Sequence, residues 1–227
     1  MCTLTWNRVS STDLEIYFNR DELKTRPVAD APTRFNTGDS SFLSPRDPKG
    51  GGTWMFANDL GVVICLLNKW ELEGRVIGDP LSRGRLVWSM ARAKSPDEIA
   101  KKLIQLTRYQ AFTLAVFSPA GDVCWEWTGD ELSQSEMPEI LTSSSFRFEE
   151  VRAVRRACFS SGLRGVDFHA SLQEPPSPYS VRMNRPDAQT WSRSRVLVSD
   201  RISWHYLAGQ ADLNGDPLET LVELPLK

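Results

Sequence analysis

The stretch "GVVICLLN" (residues 61–68) is apolar at every position from Val62 to Leu67. Its length suits a strand, being too short for a bilayer span or a long core helix. Side chains of a strand alternate between two faces, so a strand apolar on both must be covered on both. That requirement rules out an open sheet with one wet face and asks for stacked layers. "TWMFA" (53–57) precedes it across "NDLG" and reads as its hairpin partner. "AFTLAVFS" and "DVCWEWT", joined by "PAG", form another pair, with Trp125 and Trp127 as core residues.

Toward the N-terminus, residues 2–8 ("CTLTWNR") place Cys2, Leu4 and Trp6 on one strand face, and residues 13–19 ("DLEIYFN") alternate again. "VSST" between them suits a hairpin. Residues 24–52, rich in Pro, Gly, Ser and Asp, have no clear period and read as a long loop. Helical signals follow in "SRGRLVWSMARA", in "IAKKLIQLTR" after "SPDE", and in "SFRFEEVRAVRRACFSS", where Phe148, Val151, Val154 and Cys158 have core spacing. On that last helix "RAVRR" (152–156) reads as a solvated face. Residues 173–192 form a second polar loop, and "SRVLVS" with "ISWHYLAG" close the chain as a strand pair. Hairpins, then helices, then strands make a layered α+β sandwich, one domain over residues 1–227.

The formal net charge of −2 offers no broad attraction for nucleic acid or an anionic membrane. No apolar run spans a bilayer, and Asp13 and Glu15 interrupt the place of an export signal, so the expected compartment is the cytoplasm. Four cysteines without a CxxC pair and two histidines make a poor zinc set, and no metal is expected. Cys65 and Cys124 lie in apolar strands and read as buried thiols. Nothing in the sequence sets an oligomeric state.

Cys2 stands directly behind the initiator methionine. Removing that methionine, as is usual before a small residue, leaves a thiol and an α-amine on one residue, with reference pKa values of about 8.5 and about 7.7–8.0. The amine then serves as general base for its own thiol, without a histidine. Such a nucleophile needs a positive neighbour, a group that orients the amine, and an oxyanion donor. "NRDE" (19–22) offers Arg20, to lower the thiol pKa or bind a substrate carboxylate, and Asp21, to accept from the amine. The two project together only if their strand has ended. Asn68, at the end of its strand, offers a neutral amide donor. The glycines at 50–52 either turn the chain into "TWMF" or let the backbone approach a ligand or the Cys2 strand, and they lack the Lys-Ser/Thr of a phosphate loop.

"MC" at the start, "NRDE" with "RP", "GGTW" (51–54), "ND-G…LLN" (58–68), "SRG-LV" (82–87) and "SRS" (192–194) occur in the order found in the transport-and-Golgi-organisation-2, or NRDE, family, which this chain resembles. The family looks like a branch of the N-terminal nucleophile (Ntn) hydrolases, so the resemblance implies a four-layer αββα sandwich of two antiparallel sheets. It also makes Cys2 the nucleophile, Asp21 the contact of its amine, Asn68 the oxyanion asparagine and Arg193 a site-facing cation. Where members carry a Ser-Asn pair, this chain reads "LTSSSF", which puts Ser144 or Ser145 in the asparagine's place. Trp54 joins the substrate contacts as part of "GGTW".

Two functions follow from the resemblance. One is an amide hydrolase cleaving a non-peptide C–N bond through a Cys2 thioester, needing no cofactor. The other is a carrier that holds haem or an acyl-CoA in the same pocket. Either way the partner is a small molecule, with no nucleic acid and no membrane span.

Overall fold

In the computed structural model, residues 2–10, 12–70, 72, 76, 78–173, 175, 177–209 and 218–227 are described. In chain order the elements are β1 (Cys2–Arg8), β2 (Leu14–Leu23), β3 (Asp30–Thr37), β4 (Ser40–Arg46), β5 (Met55–Asn58), β6 (Val63–Asn68), α1 (Arg83–Ser89), α2 (Pro96–Ala100), β7 (Phe112–Phe117), β8 (Val123–Trp127), β9 (Leu132–Ser135), β10 (Ile140–Ser143), α3 (Phe148–Ser160), α4 (Gly165–Ala170), β11 (Ala188–Val198), β12 (Arg201–Ala208) and β13 (Leu218–Pro225). Among the described residues the strands form two antiparallel sheets, ordered β10-β1-β2-β11-β12-β13 and β3-β4-β5-β6-β7-β8-β9.

The doubly apolar strand accounts for the layering. Val63, Cys65 and Leu67 of β6 pack in the core between the sheets, against Leu4, Ile16, Phe18, Val196 and Trp204. Ile64 and Leu66 point the other way, into a second core with Leu86 and Val87 of α1, Met90 just after it, and Ile99 of α2. A third cluster, Ile140, Phe159, Phe168 and Val181, seats α3 and α4 on the outer face of the other sheet. The order is therefore helix, sheet, sheet, helix: the αββα sandwich that the resemblance implied.

Several local expectations are corrected. Residues 24–52 are not a long loop, because β3 and β4 lie within them. β3 is an edge strand with Pro32 and mostly solvent-facing polar residues, so its alternation carries little apolar signal, while Phe42 and Leu43 of β4 are buried. β2 runs to Leu23 rather than stopping at Asn19, so Arg20 and Asp21 are neighbours in a strand and point to opposite faces. The central helices are short, α2 giving way to a 3-10 turn at Lys101–Leu103. β9, β10, α4 and the C-terminal β13 were not anticipated.

The expected core stripe of α3 is also displaced. Phe148, Val154 and Cys158 are half-buried, and the buried positions are Val151, Arg155 and Phe159. "RAVRR" is thus not a wholly solvated face, since Arg155 is fully buried.

"ND-G" is a brace. The Asn58 amide donates to the carbonyls of Ala91 (3.1 Å) and Ala93 (2.9 Å), and its oxygen accepts from the Leu60 and Val62 amides. Asp59 accepts from the Ser40 hydroxyl and the Ser41 amide, fastening the β5–β6 turn to β4.

Candidate active site

Cys2 begins β1 and faces the inter-sheet core, with Arg20 and Ser143 as its register partners on β2 and β10. Arg20 extends the face of Ile16 and Phe18, a row otherwise apolar, and is only 6% exposed. Its guanidinium lies 4.4 Å from the centroid of the Trp54 ring and 3.5 Å from Glu22. Stacking on the indole and pairing with a carboxylate are what allow an arginine to be buried there. Burial pushes the Cys2 thiol up to about 11, against the lowering effects of Arg20's charge and of the hydrogen bond its sulfur accepts from the Asp21 backbone N–H. In this form the thiol is protonated at neutral pH and needs a base.

Asp21 meets the site from behind. Its carboxylate accepts from the Thr190 hydroxyl (2.6 Å) and from Arg155 (3.4 Å), both Asp21 and Arg155 side chains being fully buried. Arg155 also donates to the hydroxyls of Thr3 (2.6 Å) and Thr142 (3.0 Å), tying β1, β10 and α3 to the aspartate. A register shift in β11 between Thr190 and Ser192 aims Thr190 at Asp21.

A cavity of about 460 Å³ opens beside Cys2, within the range of small-molecule sites. Cys2, Arg20, Asp21, Trp54 and Asn68 all line it, so five of the seven sequence-derived site residues converge there. Asn68 is half-buried at the end of β6, and among the described residues its side-chain amide makes no hydrogen bond. The other two lie elsewhere. Ser144 is spent on a turn, its hydroxyl donating to the Phe146 carbonyl (2.6 Å) and accepting from the Phe146 amide (3.0 Å), and it is the neighbouring Ser145 that lines the cavity. Arg193 projects from the face of β11 opposite Ser192 and Ser194, where its charge acts on buried His169 rather than lining the cavity.

Three further arginines on the wall, Arg26, Arg83 and Arg185, escaped the sequence reading. Arg83 belongs to "SRG", whose glycine explains the motif's link with "GGTW". Gly51 has φ +65°, a turn that favours glycine, and Gly52 lies flat on the start of α1, where a Cβ would stand 2.2 Å from the Gly84 carbonyl carbon. The Thr53 amide donates to the Gly84 carbonyl at 3.1 Å, locking the segments together beneath Trp54 and Arg83. The close approach of Gly52 is therefore to α1, and not to the Cys2 strand as expected.

Residues 1–153 match the model of the family "Transport and Golgi organisation 2". The chain belongs to that family. No curated protein sequence matches it. Among solved structures it resembles a mutant of the conjugated bile acid hydrolase from Clostridium perfringens whose cysteine at position 2 is alanine, at a TM-score of 0.57 and 12% identity, over 99% of this chain and 92% of that one. A second variant of the same hydrolase matches at a TM-score of 0.54 and 11% identity, over 100% and 97% of the two chains. At such identities the likeness establishes the fold, that of an Ntn hydrolase. No helix among the described residues is long and apolar enough to cross a membrane.

Proposed function

We propose that this family member is an N-terminal-cysteine hydrolase that cleaves a non-peptide C–N amide bond through a Cys2 thioester. The observation that carries the reading is the convergence of Cys2, its strand partner Arg20 and Asn68 on one cavity. The fold's likeness to a hydrolase known from a variant at its own position-2 cysteine lends support.

The chemistry requires cleavage of the peptide bond between residues 1 and 2. The freed α-amine takes the Cys2 thiol proton, and the thiolate attacks the amide carbonyl carbon, forming a C–S bond and an oxyanion. Asn68 donates to that oxyanion from the cavity wall. As the C–N bond breaks, the α-ammonium returns its proton to the leaving amine. Water then loses a proton to the α-amine as its oxygen attacks the thioester, the C–S bond breaks, and that proton restores the thiol. Asp21, held by Arg155 and Thr190, orients the amine, and Arg20 supplies positive charge beside the sulfur.

The test uses protein lacking residue 1 and a panel of acyl p-nitroanilides of graded chain length. Nitroaniline release, an acyl mass on the Cys2 peptide after rapid quenching, and loss of both in Cys2→Ala are the expected results. Saturable binding without an acyl adduct would overturn hydrolysis and assign the cavity to carriage, haem and an acyl-CoA being the ligands to titrate. Retention of residue 1 in protein from its own cells would overturn the mechanism.

A further inference from the structure

Four arginines line the cavity, and three carry a carboxylate: Arg20 has Glu22, Arg26 has Glu22 and Asp47, and Arg185 has Asp187. Arg83 has none within ion-pair distance among the described residues. Its Nη1 donates to the Ala111 carbonyl at 2.7 Å, and its guanidinium lies 5.3 Å from the centroid of the Trp70 ring. A carbonyl and an aromatic face fix an arginine in place without neutralising it. One of its five N–H donors is used, leaving a fork suited to a carboxylate. Burial draws Arg83 down to about 10, so it remains a cation at neutral pH, and the negative groups acting on it are Cys2, when ionised, and Glu22. The same cavity wall has an open apolar part: Trp70, against Arg83 itself, Leu81 and Leu23 line it while staying 45%, 36% and 46% exposed. Three large apolar side chains left open around one cavity call for an apolar occupant.

We propose that Arg83 binds the carboxylate of the substrate, which is an amphipathic anionic amide whose apolar arm lies along Trp70, Leu81 and Leu23. This rests on the hydrolase reading, and it names the substrate class: an amide with one acyl arm and one acidic arm.

The test is calorimetric binding to Cys2→Ala protein, which cannot turn over, of N-decanoylglycine and its neutral counterpart N-decanoylglycinamide. The acid is expected to bind at least about tenfold more tightly, the worth of one charge-assisted pair. Adding Arg83→Met should bring the two to parity, and Arg83→Lys should restore part of the preference. Equal affinities in the protein that retains Arg83 would overturn the proposal whatever the fate of the variants, and so would a preference that survives Arg83→Met. Because binding is read without catalysis, a preference for the acid together with no turnover would overturn the hydrolase reading alone. Turnover with no preference would overturn this inference alone.

Discussion

Replacing Arg155 by Met tests the buried network behind Cys2. Arg155 and Asp21 stand 3.4 Å apart with both side chains excluded from solvent. At an effective dielectric of about 20, unit charges at that separation attract by about 5 kcal/mol. Asp21 keeps the Thr190 hydroxyl, which offsets about 1–2 kcal/mol of the loss. The expected cost is therefore about 3–4 kcal/mol, in the range for stripping one partner from a buried pair. Met fills much of the arginine's volume, so the cost is electrostatic and not a cavity. Adding Asp21→Asn removes the stranded charge, and the double variant should recover about 2 kcal/mol or more relative to the sum of the single losses. Urea unfolding followed by tryptophan fluorescence measures both quantities. A loss below about 1 kcal/mol in Arg155→Met, or strict additivity in the double variant, would refute the claim that α3 holds Asp21 by charge.

Three other outcomes are expected. With residue 1 in place, alkylation of Cys2 by iodoacetamide should climb about tenfold per pH unit and level off near its value of about 11, while removing residue 1 should move the plateau to lower pH; a plateau already reached near neutrality in the unprocessed chain contradicts the burial argument. His169 is held neutral, burial pushing it down to about 3, with Thr5 at 2.8 Å on Nε2 and Asn19 at 2.9 Å on Nδ1. A depressed value means that its stabilisation is complete above about 6.5 and is lost as pH falls through about 3, up to about 5 kcal/mol in all. The stability gap between wild type and His169→Gln should therefore narrow over that window in urea titrations, and parallel curves would sink the assignment. Gly52→Ala drives a Cβ to 2.2 Å and 2.5 Å from the backbone of Gly84 and Arg85 and should cost about 2 kcal/mol or more, read as a lowered thermal midpoint; a change within about 0.5 kcal/mol would disprove the close approach.

The layers were legible because they follow from side-chain alternation. Six apolar residues in "VVICLLN" demanded cover on both faces, and Cys65 and Ile64 now lie in different cores. Strands whose pairing satisfies backbone more than apolar burial escaped notice. β3 and β9 are sheet edges with mostly polar, exposed residues, and β13 is placed by its register with β12 rather than by a pattern of its own. The site was half legible for a related reason. Cys2, Arg20 and Asp21 fall on paired strands of one sheet, and Asn68 ends a strand of the facing sheet, whereas Arg155 and Arg83 reach the site from helices whose orientation no local pattern reveals.

Yet Arg155 had left a mark. It occupies the fourth position between Val151 and Phe159, where the stripe requires an apolar residue, and Arg20 likewise interrupts the face of Ile16 and Phe18 on β2. Both violations are of one kind: a guanidinium on a face that the rest of its element commits to burial. Such a charge is stable only if the fold supplies its partner, here Asp21 for one and Glu22 with the Trp54 ring for the other. The partners are two adjacent residues of β2 on opposite faces, so the strand from Arg20 to Glu22 collects positive charge from both sides of its sheet and directs it to the end where Cys2 lies. Replacing each guanidinium together with its carboxylate by apolar residues of similar volume is the change that would leave stability intact or raise it; a paired violation of this kind marks the end of β2 as a candidate site.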